Sequence, residues 1–174
     1  VSLADLTYAL RVVAPGRGDY VGVVSAQTEA ISLGKVMVVE EATQEALAYA
    51  VNGVAAGGTI RFADSLAGST ITMTGTEITI GKNVTIDAGA LNITIDANKQ
   101  GRIFSINSGY EVALNGFKMT GGEAIELIYN DGALTLTNMA FVGNSNGAVK
   151  NHRALTINNS TFSGNSGGGA IFSE

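Results

Sequence analysis

The chain reads as an all-β protein: a right-handed single-stranded parallel β-helix (solenoid) with an N-terminal strand-rich extension and a short capping helix. Three observations predict this. A unit of 21 or 22 residues repeats, its apolar residues alternate in runs of three to five, and Asn and Gly stand between the runs.

The repeat is clearest from Asp131 to Glu174. Leu134, Leu136, Asn138, Phe141 and Asn144 are answered by Leu155, Ile157, Asn159, Phe162 and Asn165 at an offset of 21. Gly147-Ala-Val149 and Gly169-Ala-Ile171 are offset by 22, a one-residue insertion in a turn. Val112, Leu114, Met119 and Gly122 carry the unit backwards at the same 22. A unit this short cannot bury its apolar face alone and has to stack on copies of itself.

The local period says what the unit is. Leu and Ile alternate with Thr and Asn, as in a strand with one buried face, and the runs are too short for helices. Asn and Gly supply the left-handed backbone that sharp corners need. Coils stacked about 4.8 Å apart put Leu134 under Leu155 and Leu136 under Ile157. They also stack Phe141 on Phe162 and set Asn144 over Asn165 as an amide ladder. In the rival leucine-rich repeat, Asn would follow a leucine ladder and a helix would close each unit. The right hand follows from the crossover chirality of parallel strands.

Residues 1–41 do not fit the repeat and form the N-terminal extension. Leu6–Val13, Tyr20–Val24 and Lys35–Val39 read as strands, with turns at Pro15-Gly16 and Ser32-Leu-Gly34. Residues 42–53 are the capping helix: Thr43 as N-cap, Glu45 in the first turn, an apolar stripe of Ala46, Leu47, Ala50 and Val51, and Gly53 at the end. It would cover the first rung and protect its hydrogen-bonding edge. Residues 54–174 are the β-helix, about five rungs and a rod roughly 25 Å long.

Phe141-Val-Gly-Asn144 with Gly147-Ala-Val149, and Phe162-Ser-Gly-Asn165 with Gly168-Gly-Ala-Ile171, resemble a known motif pair. These are the FxxN and GGA(I/L/V) motifs of polymorphic outer membrane protein repeats, found in bacterial autotransporter-type adhesins. The resemblance covers Gly57 to Glu174 and departs at Asn146, where the motif has its first Gly. It implies an extracellular or cell-surface protein, an adhesin passenger or a structural subunit, with a glycan or host-cell receptor as partner.

Composition agrees with stacked β architecture. Of 174 residues, 14 % are charged and 23 are Gly, and long charged side chains would crowd one another at every rung. The net charge of −5 lacks the basic footprint that nucleic acid requires. Without cysteine there are no disulfides or thiolate metal sites, and no apolar run approaches the ~20 residues of a membrane span.

Candidate chemistry is sparse. Glycosidases and polysaccharide lyases use this fold, and Asp87 and Asp96, which end similar strands, are the best carboxylate pair for such work. Neither lies in a signature of those enzymes, so both read as strand-end caps, and two carboxylates fall short of a calcium ligand set. His152, in Asn151-His-Arg153, reads as a solvated corner residue. Arg17-Gly18-Asp19 spells an integrin-binding tripeptide in a Pro-Gly turn, a short match that chance also produces. Asn83, Asn92, Asn158 and Asn159 lie in Asn-x-Ser/Thr sequons that an Asn/Thr-rich repeat generates by itself. The expectation is a non-enzymatic surface protein without cofactor or metal, with a polysaccharide-active enzyme as the alternative. Val1 in place of Met reads as processing. The last coil, with Ala170, Ile171 and Phe172, reads as an open edge at which copies would associate end to end.

Overall fold

The computed structural model describes residues 8–10, 22–24, 34–167 and 169–173. The chain divides into two compact units, Val1–Ser32 and Leu33–Glu174. In the first, β1 (Tyr8–Leu10) pairs antiparallel with β2 (Gly22–Val24). The turn expected at Pro15-Gly16 lies outside the described residues.

The second unit is a parallel β-solenoid. It opens with β3 (Val36–Val39) and α1 (Gln44–Gly53). Five rungs of three strands follow: β4 (Gly58–Phe62), β5 (Thr70–Thr72) and β6 (Ile78–Ile80); β7 (Val84–Asp87), β8 (Ile93–Asp96) and β9 (Phe104–Ile106). Then come β10 (Glu111–Asn115), β11 (Phe117–Thr120) and β12 (Ile128–Asn130); β13 (Ala133–Thr137), β14 (Ala140–Val142) and β15 (Val149–Asn151). The last are β16 (Ala154–Asn158), β17 (Thr161–Ser163) and β18 (Ile171–Ser173). The first strands of the rungs, with β3, make one sheet of six, and the second and third strands make two sheets of five.

One expectation needs correction. Lys35–Val39, placed in the extension by its sequence, belongs to the solenoid: β3 runs parallel to β4, with Met37 opposite Ile60 and Val39 opposite Phe62. Helix α1 takes the place of the second and third strands in that turn. The coil therefore has about six turns, one of them half helical, where the repeat pattern predicted five.

Register fills the interior. Ile60, Ile86, Leu114, Leu136 and Ile157 form one column. Ile71, Ile95, Met119, Phe141 and Phe162 form a second, and Ile78, Phe104, Ile128, Val149 and Ile171 a third. Phe104, Phe117 and Phe141 are fully buried, each stabilising by about 1.5–3 kcal/mol.

Helix α1 closes this interior at the N-terminal side. The Thr43 hydroxyl accepts a hydrogen bond from Ala46 N at 3.1 Å, the expected N-cap, and Leu47, Ala50 and Val51 are buried. Gln44 stitches the helix to the first rung: its Oε1 accepts from Thr74 N at 2.6 Å and its Nε2 donates to Thr76 O at 2.9 Å. No basic residue lies in the last helical turn. Lys82 from the next rung serves that end, donating to the carbonyls of Asn52 and Val54 at 2.8 and 3.0 Å.

Candidate functional site

Two amide ladders run through the interior. Asn144 is fully buried; its Oδ1 accepts from Gly122 N, and its Nδ2 donates to Asn165 Oδ1 at 2.9 Å. Asn165 Nδ2 donates in turn to Phe141 O at 2.9 Å. The motif asparagines thus face inward and join rungs. The second ladder escaped the sequence reading. Asn130 and Asn151 continue the Ile80 and Ile106 column inside the third sheet, with Asn130 Nδ2 donating to Asn151 Oδ1 at 2.6 Å. Asn151 Nδ2 reaches Ser173 Oγ at 3.2 Å. The offset of 21 between Asn130 and Asn151 was the available signal, hidden because asparagine was read as a corner residue.

The two aspartates close strand-end turns. Asp87 Oδ1 accepts from Gly89 N at 2.9 Å and from Asn115 Nδ2 at 2.6 Å, while Asp96 Oδ1 accepts from Asn98 N at 2.7 Å. They sit on different sheets, with the corner 88–92 between them. His152 lies at the corner between β15 and β16, as read, but is half-buried, its ring tilted 46° against Tyr129 with centroids 5.1 Å apart. Arg17-Gly18-Asp19 lies outside the described residues. Of the sequon asparagines, Asn83, Asn92, Asn158 and Asn159 are all exposed, and Asn83 Oδ1 accepts from Glu111 N at 3.0 Å. On the expected assembly edge, Ala170 O accepts from Ala148 N at 2.8 Å, and Ile171 and Phe172 are exposed.

The outer surface carries what the repeat does not specify. On the third sheet Arg102 bridges two rungs, donating to Glu77 Oε2 at 3.1 Å and Glu126 Oε1 at 2.7 Å, with its guanidinium 4.9 Å from the Tyr129 ring. At the corner between the third and first sheets, Glu111, Ala133 and Ala154 stand in register, preceded in the chain by Tyr110, Gly132 and Arg153. Two adjoining concavities open there. One, of about 350 Å³, is lined by Asn83, Thr85, Glu111, Ala113 and Thr135. The other, of about 440 Å³, is lined by Tyr110, Glu111, Asp131, Gly132 and Arg153. Both include Ala133 and Glu111, so they adjoin, and together they follow the corner across the rungs as a shallow groove.

Gly132 sets the rung spacing beside that groove. A Cβ there would press on the carbonyl oxygens of Tyr110 and Asn107, so the close approach of the rungs at this corner requires glycine. Arg153 Nε lies 3.4 Å from Asp131 Oδ1 across the opening. Sequence reasoning passed over these residues because it followed the apolar columns. The same offsets, applied to outward positions, align Tyr110, Gly132 and Arg153. Among the described residues no group of three or more His, Cys, Asp or Glu side chains is placed to hold a metal ion. Among these residues, too, no helix is long and apolar enough to cross a membrane.

A scan against protein-family models, a search of curated proteins and a search of solved structures each found no match to this chain.

Proposed function

We propose that this chain is a non-enzymatic scaffold of an extracellular or cell-surface protein, an adhesive or structural β-helix of the polymorphic outer membrane protein type. The observation that carries the reading is the role of the motif residues. Phe141, Asn144, Phe162 and Asn165 are directed inward and hold rungs together, which leaves the outer faces to carry recognition. Asp87 and Asp96, the carboxylates an enzyme would use, each serve a local turn. The test is display of the chain on a non-adherent bacterium, followed by adhesion to host cells and to a glycan array. Turnover of pectin, alginate or chondroitin that Asp87→Asn abolishes would overturn the reading in favour of a polysaccharide-active enzyme.

End-to-end association of copies is the second reading. It concerns the outermost described rung, where Leu155, Ile157 and Phe162 are half-buried while Leu134, Leu136 and Phe141 beneath them are buried. A further rung, from the same chain or from another copy, would cover them. Sedimentation across a concentration series tests it, and a monomer throughout would remove the second reading.

A further inference from the structure

The geometry points to the groove at the corner of the third and first sheets as a binding site for an uncharged linear glycan lying along the solenoid axis. The inference rests on the adhesive reading and names the ligand class for it.

Shape comes first. The groove crosses the strands, from Asn83 on the second rung to Arg153 and Ala154 at the fifth, with Gly57 of the first rung at its far end. Four rung spacings make about 19 Å. The two concavities, about 350 and 440 Å³, are of the size that small-ligand sites have. A peptide adding as a strand needs a free sheet edge, and here β7, β10 and β13 are each paired on both sides. The occupant must therefore make side-chain contacts along the axis, which suits a chain with a short, regular repeat of its own.

The lining chooses the chemistry. The floor alternates methyl and hydroxyl groups, with Ala113 and Ala133 beside Thr85 and Thr135, matching the mixed C–H and O–H faces of a pyranose. Tyr110 stands at one wall, 37 % exposed, with an aromatic face and a hydroxyl. Glu111 and Asp131 supply carboxylate acceptors for sugar hydroxyls. Charge then decides between glycan classes. The groove's charged groups are two carboxylates and Arg153, whose guanidinium already faces Asp131. With a chain charge of −5 behind it, such a groove repels uronates and sulfated sugars.

The test is calorimetric titration of the full chain with β-1,4-linked glucose and N-acetylglucosamine oligomers of increasing length, with oligogalacturonate as comparator. Expected are binding of an uncharged oligomer, affinity that levels off at about four sugars because the groove is about four rung spacings long, and no uptake of galacturonate. Tyr110→Ala removes the wall and Ala133→Arg fills the floor from an outward position; each should weaken binding about tenfold or more. Lys118→Ala, outward on the second sheet, should leave affinity unchanged. Circular dichroism and thermal melts establish that the variants are folded. Galacturonate bound as tightly as the uncharged oligomers, wild-type affinity in both groove variants, or no binding of any uncharged oligomer overturns the inference. Cell adhesion that survives Ala133→Arg would remove the groove while leaving the adhesive reading in place. Glycan binding by a chain that gives no adhesion would uphold the groove and remove that reading.

Discussion

The ring of Phe141 stacks on that of Phe162, with centroids 4.8 Å apart and planes 8° from parallel. The spacing is that of adjacent parallel strands, so the ring pair records the register of the whole second sheet. Phe141 is fully buried and Phe162 half-buried. Phe141→Ala should cost about 3–5 kcal/mol, the usual range for a buried phenylalanine, and Phe162→Ala less than half of that. Urea unfolding of the two variants checks the order. Equal losses would mean that Phe162 is buried in solution.

The interior asparagines invite a non-additivity test. Asn130 Nδ2 donates to Asn151 Oδ1 and to Ala154 O, and Asn130 Oδ1 accepts from Gly132 N. Asn130→Ile leaves those partners unsatisfied, at about 1–3 kcal/mol for each buried group. Adding Asn151→Ile removes one more polar partner and extends the isoleucine column begun by Ile80 and Ile106. The double variant should therefore lose less than the sum of the single losses. Additive losses in thermal unfolding would show that the two amides act independently.

Charge pairs on the outer face should separate by burial. The Lys99–Glu123 pair, at 3.3 Å, has side chains 71 % and 54 % exposed, whereas Arg102 and Glu126 are 21 % and 14 % exposed. Lys99→Ala should change stability by less than about 1 kcal/mol, an effect erased by molar salt. Arg102→Ala strips the partner from a largely buried carboxylate and should cost several times more, with little salt dependence. Chemical denaturation at low and high salt measures both.

Helix α1 offers a local readout. Gln44→Ala removes the acceptor of Thr74 N and the donor to Thr76 O, and should cost about 1–3 kcal/mol. Amide exchange should quicken first at Thr74. Loss of protection spread evenly over all rungs would mean that the cap and the coil unfold as one unit.

How much was legible follows from which residues repeat. The Leu/Ile columns, the Phe pair and the Asn144–Asn165 ladder were readable because offsets of 21 and 22 bring identical residues together. Strand β3 was legible as a strand but not as part of the coil, because a helix stands between it and its partner. Yet Val36 pairs with Thr59 at an offset of 23, close to the repeat length, and the inward Met37 and Val39 answer Ile60 and Phe62. Tyr110, Asp131 and Arg153 were passed over for a deeper reason: outward residues are not constrained by stacking, so the offsets that align Tyr110, Gly132 and Arg153 bring together residues of unlike chemistry.

The corner between the first and second sheets gives the sharpest test of these packing arguments. Gly116, Asn138 and Asn159 occupy equivalent places after β10, β13 and β16, and all three have left-handed backbone, with φ of 80°, 52° and 48°. Asparagine tolerates that conformation better than other non-glycine residues, so dihedral strain alone would allow it at Gly116. Space does not. A Cβ on Gly116 would run into the backbone of Gly89, in the longer corner 88–92 of the rung beneath. Gly116→Asn should therefore destabilise by about 1–3 kcal/mol through overpacking, and Asn138→Gly by about 1 kcal/mol through backbone entropy and loss of the exposed hydrogen bond from Asn138 Nδ2 to Asn115 Oδ1. Gly143, left-handed at φ 67° with nothing within 4 Å of a Cβ, is the control that separates the two causes. Gly143→Asn should be nearly neutral. If Gly143→Asn and Gly116→Asn lose the same stability in thermal unfolding, conformation and not contact with Gly89 is what keeps glycine at the corner.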